Sequence, residues 1–384
     1  MADRRLFRTL WLLLLAACML SAAAAEDTEE EGMSYVNELS EYLDYDELDE
    51  LLRSSEEAGD LSFSGFVGDI LTGAEELSVG NVLRLLVNRT LSSFRTDTGF
   101  FARLFLIITV ATLFSVVSSA FSNGQVAQTG FQATFFLLYA LLLQCYLQAA
   151  ELAAATLNFL LQFMRMLVPV YLMSITFCTG VTTANGFYQV YVALITLCQS
   201  VLVSVFLPLC NLYVMLGISG QLPIENCLSG FTGLVKRCIL WGRRGMLAVA
   251  TGFSVIQGVL APGVDQLKRS TLTKSLSAIP GVGALFSGVT ETVFSAGVVI
   301  KNAVGTAGVL VLLFACLRPL VKLFAYMLMF RIVAASAQLF ADKRMVGCVE
   351  ETAEAISLLT GLVSAALLSF LIVIMVMAVT TTGS

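Results

Sequence analysis

No histidine occurs anywhere in the 384 residues, and that absence removes the commonest general base, the commonest zinc ligand and the third member of most nucleophilic triads. Charge is scarce as well, at 13% of residues, where a soluble domain carries about 25%. With 57% hydrophobic residues and a mean hydropathy of +0.85, the chain has too few charges to cover a water-facing surface of its size, which excludes a soluble globular protein. The nine cysteines include no CxxC pair. Cys145, Cys178, Cys198, Cys210 and Cys316 lie inside apolar runs, where a thiol behaves as a small buried hydrophobe. Cys227 and Cys238 flank a loop at a spacing that fits no zinc pattern.

Several motifs fail for want of a partner. Gly217-Ile218-Ser219-Gly220 follows an apolar span and matches the GxSG of intramembrane serine proteases, a chemistry that needs a histidine to take the serine proton. Gly281 and Gly283 form a Gly-x-Gly with no Lys-Ser or Lys-Thr behind it, so it is no nucleotide phosphate loop. Asp265 and Asp342 fall in polar loops, not paired within spans as membrane aspartyl proteases require. No basic patch is interleaved with aromatics, so nucleic acid is not an expected partner. Neither catalytic residues, nor a metal site, nor a cofactor is expected.

What charge there is falls into two regions of opposite sign. Residues 26–60 carry 15 Asp and Glu against Arg53 alone, whereas residues 61–384 hold 18 Lys and Arg against 12 acids. An acidic head is therefore joined to a mildly basic membrane body. In front of it, Arg4, Arg5 and Arg8 precede the apolar stretch Leu10–Leu20 and an Ala-x-Ala site at Ala23–Ala25. That order is the signature of a signal peptide, and cleavage after Ala25 leaves the head outside the cytoplasm. Leu15-Ala16-Ala17-Cys18 also matches a bacterial lipoprotein box, and an uncleaved first helix is a third option. Val36, Leu39, Leu43, Leu48, Leu51 and Leu52 recur at helical spacing among the head's carboxylates, predicting one or two acidic amphipathic helices, either a solvated head or a docking surface. Leu83, Leu86, Val87, Leu91 and Phe94 alternate with Arg84, Arg89 and Arg95 in the manner of a helix on a membrane surface.

Between residues 104 and 224 only Glu151 and Arg165 are charged. Dividing the segment at its small polar clusters predicts spans near 101–121, 131–150, 157–178 and 188–216, each long enough for a hydrocarbon core of about 30 Å, with one tight turn at Glu151. Beyond Gly217 the glycine content rises, and candidate spans are 239–261, 279–300, 304–330 and 356–379, the middle two weakened by Gly281, Gly283, Gly288, Gly297, Glu291 and Arg318-Pro319. The prediction is an all-α, polytopic helical membrane protein of six to eight spans: signal peptide 1–25, acidic extracytoplasmic helical head and interfacial helix 26–100, four-helix transmembrane region 101–216, and a Gly-rich membrane region 217–384 with a further two to four spans. With eight spans and the head outside, Lys268, Arg269, Lys274, Arg331, Lys343 and Arg344 fall inside, whereas Lys236 and Arg237 fall outside against the positive-inside rule.

Two polar features stand out. Arg165 sits inside a span one turn before Pro169 and should face water or a partner, unless it snorkels to the interface. Glu291, Ser295, Lys301 and Asn302 lie in a stretch too polar for a lipid-facing span and too apolar for a loop. They are candidates, with Arg165, for lining a pore or contacting another subunit, while Gly281, Gly283, Gly288 and Gly297 are candidates for close helix packing.

Ile279-Pro280-Gly281-Val282-Gly283, Glu291-Thr292-Val293 and Ile300-Lys301-Asn302-Ala303-Val304-Gly305, set after a signal peptide, an acidic head and several spans, resemble the stage III sporulation protein AE family of endospore-forming bacteria. The resemblance implies a polytopic component of the secretion-like complex that joins mother cell and engulfed forespore, needed for late forespore gene expression. Its implied partners are other membrane subunits of that sporulation channel complex, a forespore-side partner protein and a separate cytoplasmic ATPase. Its implied place is the mother-cell membrane around the forespore. The alternatives are an intramembrane enzyme or lipid-handling protein using Arg165 and Glu291, and a solute permease.

Overall fold

The computed structural model describes residues 43–55, 58, 61–71, 106, 109, 110, 124–179, 192–198, 200–221, 230–252, 283–338 and 343–380. Among them every regular element is helical. Two short helices, α1 (Asp46–Ser54) and α2 (Phe63–Leu71), precede the long α3 (Gly124–Thr179), α4 (Val192–Ser219), α5 (230–252), α6 (Gly283–Ala337) and α7 (Lys343–Thr380). Within α3, α4, α6 and α7 four stretches are long and apolar enough to cross a membrane, Phe135–Thr176, Val192–Ser219, Ser295–Ala337 and Lys343–Met375. The signal peptide, Cys18, the helix of residues 83–95, most of the span at 101–121 and Gly281 lie outside the described residues.

The expected turn at Glu151 is helix, and so is the junction between the expected spans at 279–300 and 304–330. Glu151 is flanked by Ala149, Ala150, Leu152 and Ala153, among the best helix formers, and one carboxylate on an exposed face breaks no backbone bond. Cutting the sequence into lengths of one bilayer therefore divides two continuous helices. α3, with 56 residues, is about 84 Å long. Pro169 and Pro319 sit inside α3 and α6 without ending them, although each removes one backbone donor. Pro208 acts differently: its missing N–H coincides with the π-turn Leu202–Phe206 in α4, which turns the Phe206 ring onto Gly242 of α5.

α6 and α7 form the centre, packed antiparallel, with α3 laid along both and α4 along α7. The register is fixed at three depths. Gly308 of α6 faces Leu167 of α3 and Ile374 of α7; Tyr146 of α3 donates to Oδ1 of Asn211 in α4 at 3.0 Å; Gly347 of α7 faces Gln221 just past α4. α3 thus runs parallel to α7. The hydroxyls of Thr156, Ser174, Thr176, Thr352, Thr360 and Ser369 each donate to the carbonyl four residues back, which removes their polarity from an apolar surrounding.

α1 and α2 dock on this bundle through aromatics. Tyr45 packs on Phe63 (ring centroids 5.6 Å), Phe63 on Phe163 of α3 (6.1 Å), and Phe66 stacks on Phe314 of α6 (5.9 Å). Leu48, Leu52, Phe63 and Val67 are buried in the joint, and burial pushes the Tyr45 phenol above its ordinary pKa. Asp49, nearly buried, accepts hydrogen bonds from the Phe63 N–H and the Ser64 hydroxyl, so α1 supplies the cap for the first turn of α2.

Candidate functional site

A group of charged side chains meets where α4 and α6 end and α7 begins. Gly217 lets α4 approach α7 so closely that an added Cβ would stand 3.0 Å from a Glu351 oxygen; the glycine of the protease-like motif is a packing position. There the Tyr213 hydroxyl donates to Glu351 Oε2 at 2.7 Å. One turn along, Glu354 receives Lys236 of α5 at 2.9 Å and Arg331 of α6 at 4.0 Å, and Gln338 Nε2 donates to Glu350 at 3.0 Å. A cavity of about 260 Å³ opens among Tyr213, Gln221, Thr232, Lys236, Glu351 and the backbone of Gly217, Gly220 and Gly233. Its lining offers an acid, an amine and hydroxyls. Among the described residues no three His, Cys, Asp or Glu side chains are grouped to hold a metal ion.

This end differs from the eight-span scheme in one respect: Lys236 stands with Arg331 and Lys343 instead of across the molecule from them. Fusing 131–150 with 157–178 reverses the direction of every later span, and fusing 279–300 with 304–330 restores it. Lys236 and Arg237 lie between the two changes.

The head docks partway along the bundle, at Phe163 of α3 and at Phe314 midway along α6. Phe314, which carries the Phe66 ring, and Arg331, which reaches Glu354, are seventeen residues apart on α6, about 26 Å at helical rise. Gln338, at the Glu350 contact, lies about 36 Å from Phe314 on the same measure.

The residues singled out from the sequence do not converge. Arg165 is exposed on α3. Ser295 is exposed, Asn302 half-buried and Lys301 fully buried in α6, while Glu291 belongs to the same helix. Of the glycines, Gly283 opens α6, Gly288 lies within it, and Gly297 is buried. Sequence reasoning passed over Glu350, Glu351 and Glu354, although three acids at i, i+1 and i+4 just before the most apolar span were a visible signal. It read Gly217 only as part of a failed protease motif and passed over Gly242, Gly308 and Gly361; the four sit against Glu351, Phe206, Leu167 and Arg243.

Apolar helices of this length, packed lengthwise, define a helical membrane protein. Residues 61–381 match the family of stage III sporulation protein AE, and the chain belongs to that family, with a role in sporulation. Stage III sporulation protein AE of Bacillus subtilis (strain 168) is 22% identical over 358 residues, covering 88% of this chain and 89% of that protein. No solved structure matches.

Proposed function

We propose that this chain is a non-enzymatic, multi-pass membrane subunit of the channel or secretion-like complex connecting mother cell and forespore during endospore formation, and that late forespore gene expression depends on it. The observation that carries the reading is the separation of the head joint from the charged end. The head joint at Phe66 and Phe314 and the charged end at Arg331 and Gln338 are about 26 to 36 Å apart along α6, which brackets one hydrocarbon core of about 30 Å. A bilayer between them gives the chain a folded surface on each side. The signal peptide puts the head in the space between the two membranes, where it meets a forespore-side partner protein and other membrane subunits. The end with Lys236, Arg331, Lys343 and Glu354 then faces the mother-cell cytoplasm and the separate ATPase.

The test is deletion of the gene in a sporulating host, with a late forespore reporter as readout. The proposal expects engulfment to finish and the reporter to stay silent until the full chain is restored. Normal reporter activity without the chain sinks it.

A further inference from the structure

We infer that the outward face of α5, at Arg237, Trp241 and Arg244, binds the headgroups of anionic phospholipids in the leaflet at the charged end. The site goes beyond the proposed role in a complex and does not depend on it; it requires only that the chain is embedded in a membrane.

α5 carries Lys236, Arg237, Arg243 and Arg244 and no acid. The four come as two adjacent pairs seven residues apart, close to two helical turns, so both pairs point in the same two directions. The first member of each pair turns to α7. Lys236 meets Glu354, and Arg243 lies against Gly361, where an added Cβ would run into its guanidinium. The second member turns away: Arg237 and Arg244 are exposed and make no ion pair or hydrogen bond among the described residues. Trp241 stands between them on the helix, 75% exposed. At 100° per residue the three share about 60° of arc. Packing on α7 uses the inner cations and leaves the outer two available.

The same contacts set the depth. Lys236 with Glu354 and Arg243 with Gly361 make α5 parallel to α7, so α5 starts at the charged end and runs inward. Arg237 is level with the group around Glu354, and Arg244 lies about 10 Å further in. Every Cα–Cβ bond of a helix tilts toward its N-terminus, which for α5 is the charged end. Arg244 therefore leans back toward Arg237, and its long stem carries the charge to the interface. Both guanidinium groups then reach one layer of phosphates.

The surroundings decide the occupant. Exposed Phe231 and Leu234 precede the trio and exposed Val249 follows it, a surface suited to acyl chains and not to a soluble acidic partner. Tryptophan favours the membrane–water interface, and the planar guanidinium fork matches phosphate. The acids nearby are engaged elsewhere: Glu354 by Lys236 and Arg331, Glu351 by Tyr213 and Glu350 by Gln338. An anionic headgroup supplies the missing charge.

Trp241 makes the test direct, because the chain has two tryptophans and the other is Trp11. The full chain with Trp11→Phe is reconstituted into vesicles of phosphatidylcholine and phosphatidylglycerol, with bromine on the acyl chains of one lipid or the other. Quenching of Trp241 fluorescence then reads which lipid sits beside it. Phosphatidylglycerol should be preferred roughly tenfold. The preference should fall to near parity when Arg237→Gln and Arg244→Gln are combined, and return with Arg237→Lys and Arg244→Lys. Where the double Gln chain does not accumulate, Arg244→Gln alone should lower the preference roughly threefold. Equal quenching by the two lipids in the parent chain overturns the site. So does quenching by neither, which means that protein covers the face. A preference that survives the changes to Gln overturns it as well, since the anionic lipid is then held elsewhere.

Discussion

Lys236 Nζ lies 2.9 Å from Glu354 Oε1, and Arg331 approaches the other oxygen of the same carboxylate at 4.0 Å. One acid thus ties α5 and α6 to α7. All three side chains are a third or more exposed, which keeps the energy small: Lys236→Ala should lower stability by about 0.2 to 1 kcal/mol. Thermal unfolding of the detergent-purified variant measures it. Glu354→Ala should cost more, because it leaves two cations clustered without their acid, and the Lys236→Glu, Glu354→Lys pair should recover part of the loss.

The head joint should be far more sensitive. Phe63 is fully buried between Tyr45 and Phe163, and Phe63→Ala removes a ring from a filled site at about 3 to 5 kcal/mol. Limited proteolysis in membranes should then cut between α1 and α2, where the parent chain resists. Asp49→Ala, which removes the cap of α2, should act the same way at about 1 kcal/mol. Equal cleavage in all three chains means that the head is not docked.

Gly242 has no room for a side chain, since an added Cβ would run into the Phe206 ring. Gly242→Ala should separate α5 from the π-turn of α4 at about 1 to 3 kcal/mol, seen as lower abundance and a lower unfolding temperature. Phe206→Leu in the same chain should restore part of both.

The helical, membrane-embedded character was legible because it depends on composition and on long apolar runs. The continuity of α3 was not. A lone Glu151 in an apolar run reads as a turn when spans are cut to bilayer length, yet the recurrence of Gln144, Gln148, Glu151, Asn158 and Gln162 at helical spacing already argued for one helix with one polar face. The charged end was illegible for another reason. Lys236 and Glu354 are far apart in sequence, and their meeting depends on the antiparallel register of α4 and α7, set by small contacts such as Gly217 on Glu351 and Gly347 on Gln221. Lys301 reads as exposed because it is charged, whereas it is fully buried.

Sidedness is testable at the two ends. A reporter active only outside the cytoplasm should work when fused at Ser55, and one active only inside should work at Gln338. The opposite pattern reverses the orientation; activity of one reporter type at both positions puts the ends on the same side.

The most direct measurement is the purification of the tagged full chain from cells after engulfment, with mass-spectrometric identification of what accompanies it. The account predicts other sporulation membrane proteins, a protein of forespore origin that is lost when residues 26–71 are removed, and a cytoplasmic ATPase that is retained on that removal. A chain that purifies alone from cells in which the late forespore reporter is active contradicts it.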